Sequence, residues 1–147
     1  VLLVAVLCLC SGAAGLSAQQ FKVSQAADLT FGGVLPNVPL TIQPSDAGSG
    51  RYIITGPKNK TVRLVFTLPS SMAGTSSMPI SFGPLSAGYS QSSSGTNMQL
   101  FDPRRPPTVT LNDSGTGYVF IGGTVQPASG QSPGPYTAAI LLVVSAP

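Results

Sequence analysis

Apolar and polar positions alternate with a period of two through most of the chain, a pattern that predicts strands rather than helices. The closing run Tyr136-Thr-Ala-Ala-Ile-Leu-Leu-Val-Val-Ser145 is the longest of these outside the N-terminus. Its even positions Tyr136, Ala138, Ile140, Leu142 and Val144 form a core face, while the odd ones, Thr137, Ala139, Leu141, Val143 and Ser145, are mostly apolar too. Such a strand is either covered on both sides or has a second face that awaits a partner. From Phe21 the odd positions read Phe21, Val23, Gln25, Ala27, Leu29, Phe31, Gly33 and Leu35, apolar apart from Gln25, whereas the even ones include Lys22, Ser24, Asp28 and Thr30. That parity predicts one long or broken strand over 21–35, with a bulge near Gly32-Gly33. Val62, Leu64, Phe66 and Leu68, alternating with Thr61, Arg63, Val65 and Thr67, make the clearest amphipathic strand.

Shorter strands are predicted over 38–42, 51–55, 78–82, 98–101, 107–111 and 118–126, separated by turns rich in Gly, Pro, Asn and Asp. Pro79 is expected to hold its strand to a sheet edge, because proline cannot donate to a ladder. The polar stretches 69–77 and 86–97 are expected to be loops, the second rich in Ser and Gly. No segment after residue 18 has a helical period. Strands spaced in this way predict an all-β antiparallel β-sandwich of about seven to nine strands.

Composition narrows the compartment. At 147 residues the chain suits one domain, with a hydrophobic fraction of 42% that argues against disorder. Only 7% of residues are charged, His and Trp are absent, and Gly (17) and Pro (14) are abundant, the profile of a turn-rich protein with a neutral surface. Residues 1–9 are apolar and residues 12–18 small, with Leu16 and Ala18 at the recognition positions. These features predict a hydrophobic signal segment over 1–18, truncated at its start and cleaved after Ala18. Domain 19–147 then follows as the mature sandwich. Cleavage removes both cysteines, Cys8 and Cys10. No membrane association is expected after cleavage, since the apolar run is shorter than the roughly 20 residues that span a bilayer.

Catalytic chemistry finds few candidates. Acid–base catalysis needs groups whose environments separate their pKa values, and the chain has no His and no Glu. Of the acids, Asp46, Asp102 and Asp113 fall in predicted turns, where Asp caps backbone N–H groups, while Asp28 lies on a polar strand face. The expectation is that the protein is not an enzyme and has no catalytic residue, cofactor or metal. Arg104-Arg105 between prolines is either a site for a carboxylate or anionic glycan or, more simply, a solvated loop tip. A net charge of +3 from so few basic residues makes no nucleic-acid footprint. The sequons Asn59-Lys-Thr61 and Asn112-Asp-Ser114 are taken as coincidental, and Gly122-Gly123 within a strand marks a bulge or the close approach of another backbone.

Ala27-Asp-Leu-Thr-Phe-Gly-Gly-Val-Leu-Pro36, Val62-Arg-Leu-Val-Phe-Thr-Leu-Pro69, Val119-Phe-Ile-Gly-Gly-Thr-Val-Gln-Pro127 and Gly134-Pro-Tyr-Thr-Ala-Ala-Ile-Leu-Leu-Val-Val144 together resemble a bacterial secreted family, domain of unknown function 4402. That family is similar to spore coat protein U and to the pilins of chaperone-usher systems. The resemblance implies an immunoglobulin-like, pilin-like sandwich that lacks a last strand and is completed by the N-terminal extension of the next subunit. Carried onto this chain, residues 19–26 are the donor strand, with Phe21 and Val23 as its buried side chains. Residues 136–144 are one wall of the acceptor groove, so that Tyr136, Ile140, Leu141, Leu142, Val143 and Val144 complete the subunit interface. Ala138 or Ala139 stands where the family has Gly, and the disulfide common in related pilins is missing. The implied partners are neighbouring subunits in a filament and a periplasmic chaperone, and the implied location is the cell surface or periplasm of a bacterium. The contrasting reading is a monomeric adhesion or ligand-binding module that uses the loops 69–77 and 86–97.

Overall fold

The computed structural model describes residues 20–147; the signal segment expected at 1–18, its cleavage point, Cys8, Cys10 and Gln19 lie outside the described residues. In chain order the strands are β1 (Lys22–Ala27), β2 (Leu40–Ile42), β3 (Gly50–Thr55), β4 (Thr61–Thr67), β5 (Ser71–Ala73), β6 (Ser77–Ser81), β7 (Ala87–Ser90), β8 (Gln99–Phe101), β9 (Thr108–Thr110), β10 (Thr116–Ile121), β11 (Gly123–Val125) and β12 (Leu141–Ser145). They pair antiparallel in three sheets of order β1-β3-β10-β7-β8, β2-β11-β6-β5 and β12-β4-β9. The sheets share one core, in which Tyr52 and Ile54 from β3, Val62 and Leu64 from β4, Val119 and Ile121 from β10, and Leu142 from β12 are packed together. An all-β, antiparallel architecture of this kind is consistent with a β-sandwich.

Several local expectations need correction. The long first strand stops at Ala27, and its ladder irregularity falls between Gln25 and Ala27 rather than at Gly32-Gly33. Beyond it the backbone leaves β3, and the Thr30 N–H donates instead to the Gly48 carbonyl (2.8 Å). The closing strand begins at Leu141, because the strand-type pairing of residues 136–140 is limited to a bridge between Ala73 and Thr137. Residues 69–77 contain β5, which pairs with β6. That places β6 between two neighbours, so Pro79 is not on an edge strand. Its missing donor is tolerated because β11 ends at Val125, and the Pro79 carbonyl accepts from Gln126 just beyond (3.0 Å).

The predicted strand 118–126 is two strands in two sheets. The chain turns at Gly122, whose N–H donates to the Ser86 carbonyl (2.7 Å) and whose Cα faces the Ile42 carbonyl. The glycine is therefore a close approach of backbones, as its place in the sequence implied. Residues 86–97 are not a free loop either. Their first part is β7, a fully buried strand between β10 and β8. The rest folds back over the outer face of that sheet, where Met98 lies against Gly88 and Arg51 sits 5.6 Å from the ring centroid of Phe120.

Candidate assembly site

Lightly buried edge strands are the places where a sheet can take or lose a partner. β1 is such a strand, since among the described residues it has β3 as its only ladder neighbour, and it exposes most of its side chains. Phe21 just before it and Val23 within it, followed by Leu29 and Phe31, are half-buried against the chain's own core. β1 also approaches β12 within 8 Å between Cα atoms, yet the two strands share no ladder. Gln20, Phe21 and Lys22 face Val144, Ser145 and Ala146 at one end of this seam.

At the other end the seam opens into a groove of about 970 Å³. Residues 28–34 form one bank and residues 131–140 the other, with Tyr52, Met72, Met78, Ile80 and Val125 between them. Among the described residues, the backbones of Ala138 and Ala139 make no hydrogen bond. The second bank is held by Tyr136, whose hydroxyl donates to the Ser132 carbonyl (2.6 Å), accepts from Gln131 Nε2 (2.7 Å) and pairs with Ser76 Oγ (2.8 Å). The bond with Ser76, the largest cause, and that from Gln131 hold the Tyr136 phenol below its ordinary value, against the opposing effect of burial. On the floor, burial and then the Asp28 charge push the Tyr52 phenol up.

The residues expected at the interface therefore divide. Phe21, Val23, Ile140, Leu142 and Val144 all pack against the core, and Leu142 is only 6% exposed. Leu141 (57%) and Val143 (49%) point to the opposite side, where Val143 registers with Val65 in a small exposed apolar strip. The inner row of the closing run is thus a core face at Tyr136, Ile140, Leu142 and Val144 but not at Ala138, which is exposed, and Leu141 and Val143 of the outer row are exposed too. Leu29 and Phe31 were not among the expected interface residues, although the parity begun at Phe21 reaches both.

The charged candidates are occupied locally. Arg104 forks onto Asp102 through Nε and Nη2, both at 2.8 Å, and this guanidinium draws the Asp102 carboxyl down to about 2. Arg105 projects into solvent, 89% exposed. Asp46 and Asp102 accept the N–H groups of Gln43 and Arg104, the turn-capping role expected of them. At the Asp113 turn, Asn112 does the capping instead, accepting from Ser114 and Thr116. No group of three or more His, Cys, Asp or Glu side chains arranged to hold a metal occurs among the described residues. No family model matches the chain, and no curated protein matches it either.

The core gives a pH-dependent prediction. The Tyr89 hydroxyl donates to the Thr110 carbonyl (2.6 Å), and burial pushes its phenol from 10.0 up to about 12. The unfolded chain sheds this proton first, so stability is complete below pH 10.0 and is lost as pH rises toward 12. Thermal melts between about pH 9 and about pH 11 should show this fall, and Tyr89→Phe should flatten it. An unchanged slope in the variant would remove Tyr89 as the cause.

Proposed function

We propose that the chain is a secreted, non-enzymatic structural subunit of a cell-surface filament, an immunoglobulin-like sandwich whose copies join by passing an N-terminal strand to a neighbour. One observation carries this reading. Among the described residues β1 is an edge strand with a single ladder neighbour, and residues 28–39, which contain no strand, tether it to the rest of the chain. An identical strand from a second copy fits the same seat, so both arrangements contain the same contacts. The balance between them then depends on concentration and on the tether. The likeness of the four sequence motifs to the secreted, pilin-like family supports the same reading, with a periplasmic chaperone as the partner that would shield the seat before assembly.

Negative-stain microscopy of the secreted protein should show fibres, and deletion of 20–26 should abolish them. Should that variant fail to fold, an excess of a peptide spanning 20–26 should block assembly of the full chain. Light scattering that finds only monomer at high concentration would count decisively against the filament. The groove favours a second reading, a monomeric ligand-binding module, more than the loops do, because β5 and β7 take up much of both loops. Binding of a neutral glycan that persists after deletion of 20–26 would decide for that module.

A further inference from the structure

Resting on strand donation, we propose that the exchanged unit is the whole arm 20–31, swinging on Gly32-Gly33, and not the strand 20–26 alone. The arm lies along a track from which side chains are missing. A Cβ on Gly56 would stand 2.6 Å from Cδ1 of the Phe21 ring, one on Gly50 would stand 3.2 Å from the Leu29 nitrogen as well as 2.8 Å from Ile121 Cγ2, and one on Gly48 would stand 2.6 Å from the Thr30 carbonyl oxygen. These glycines flank and begin β3, so the seat follows the arm well past the end of the β1 ladder at Ala27. Four apolar side chains anchor the arm, Phe21 and Val23 in its first half and Leu29 and Phe31 in its second.

The track ends where the arm does. Thr30 is pinned to Gly48 (2.8 Å), and the next backbone tether is Asn37 to Ala128 (3.2 Å). Between these pins Gly32 has φ +64°, and no atom lies within 4 Å of a Cβ position on Gly32 or Gly33. A rotation there moves the arm without disturbing Asn37 or β2. The occupant of a vacated track is the same arm from a second copy, because the glycine gaps match its backbone and ring positions.

The test uses the full chain and two synthetic peptides, residues 20–26 and residues 20–31, added during assembly followed by light scattering. The longer peptide should inhibit at a concentration at least about tenfold lower, since Leu29 and Phe31 add two half-buried anchors. Phe31→Ala in the full chain should slow assembly about as much as Val23→Ala, with circular dichroism reporting that each variant keeps its strands. Equal potency of the two peptides, or normal assembly of folded Phe31→Ala, would overturn the longer arm and leave strand donation standing. A full chain that never assembles, and that neither peptide binds, would overturn both.

Discussion

Gly122→Ala is expected to destabilise the domain by about 3 kcal/mol, at the upper end of the range for overpacked sites. The added Cβ would collide with the Ile42 carbonyl oxygen and come within 2.9 Å of that carbonyl's carbon and 3.0 Å of the Gln43 carbonyl carbon. All of these are backbone atoms, so none can rotate away as a side-chain tip would. Gly122 cannot retreat, because its own N–H is bonded to Ser86. Relief would require separating β2 from β11, beginning with the Gly123–Ile42 pair. In a domain of this size the loss lowers the melting temperature by roughly 10 °C. A midpoint within about 2 °C of the parent would show that the crossing is looser than described.

Leu142→Ala should cost about 3 kcal/mol, whereas Leu141→Ala should change stability by less than about 0.5 kcal/mol. The two residues are adjacent and alike in chemistry. They differ in face: Leu142 is 6% exposed and belongs to the core cluster, and Leu141 is 57% exposed beside Thr67. Truncation of the first leaves a cavity in the core cluster, while truncation of the second removes a surface contact. Paired urea titrations decide the matter. Equal losses would mean that both faces of β12 are covered in solution.

Much of the fold was legible where one parity persisted under one environment. Val62 and Leu64 are fully buried, as their alternation required, and the inner row of β12 was named correctly from its even positions. The failures share a cause, which is that periodicity records a face and not a ladder. Residues 28–31 keep the parity of β1 after the backbone has left the sheet, and residues 136–140 keep that of β12 before it joins one. The run from Val119 to Val125 is continuous in sequence, yet it crosses between sheets at Gly122. β7 was hidden for another reason. Its buried positions are Ala87, Gly88, Tyr89 and Ser90, three small residues of the kind composition assigns to linkers around one aromatic, and the side chains of Met98 and Leu100 leave no room for a Cβ at Gly88. At the candidate site, Phe21 and Val23 were visible from alternation. The glycine track was not, because the value of Gly48, Gly50 and Gly56 lies in what stands opposite them.

The roof over Phe120 has a consequence for how the serine-rich stretch behaves. Ser90 Oγ donates to the Thr96 carbonyl (2.7 Å), Ser92 Oγ and Ser94 Oγ are 2.8 Å apart, and Gly95 lies beside both Met98 and the ring of Phe120, which is only 4% exposed. A stretch with the letters of a flexible spacer is thereby a clasp, knotted by its own hydroxyls. Proteases that hunt for slack backbone will find little of it there.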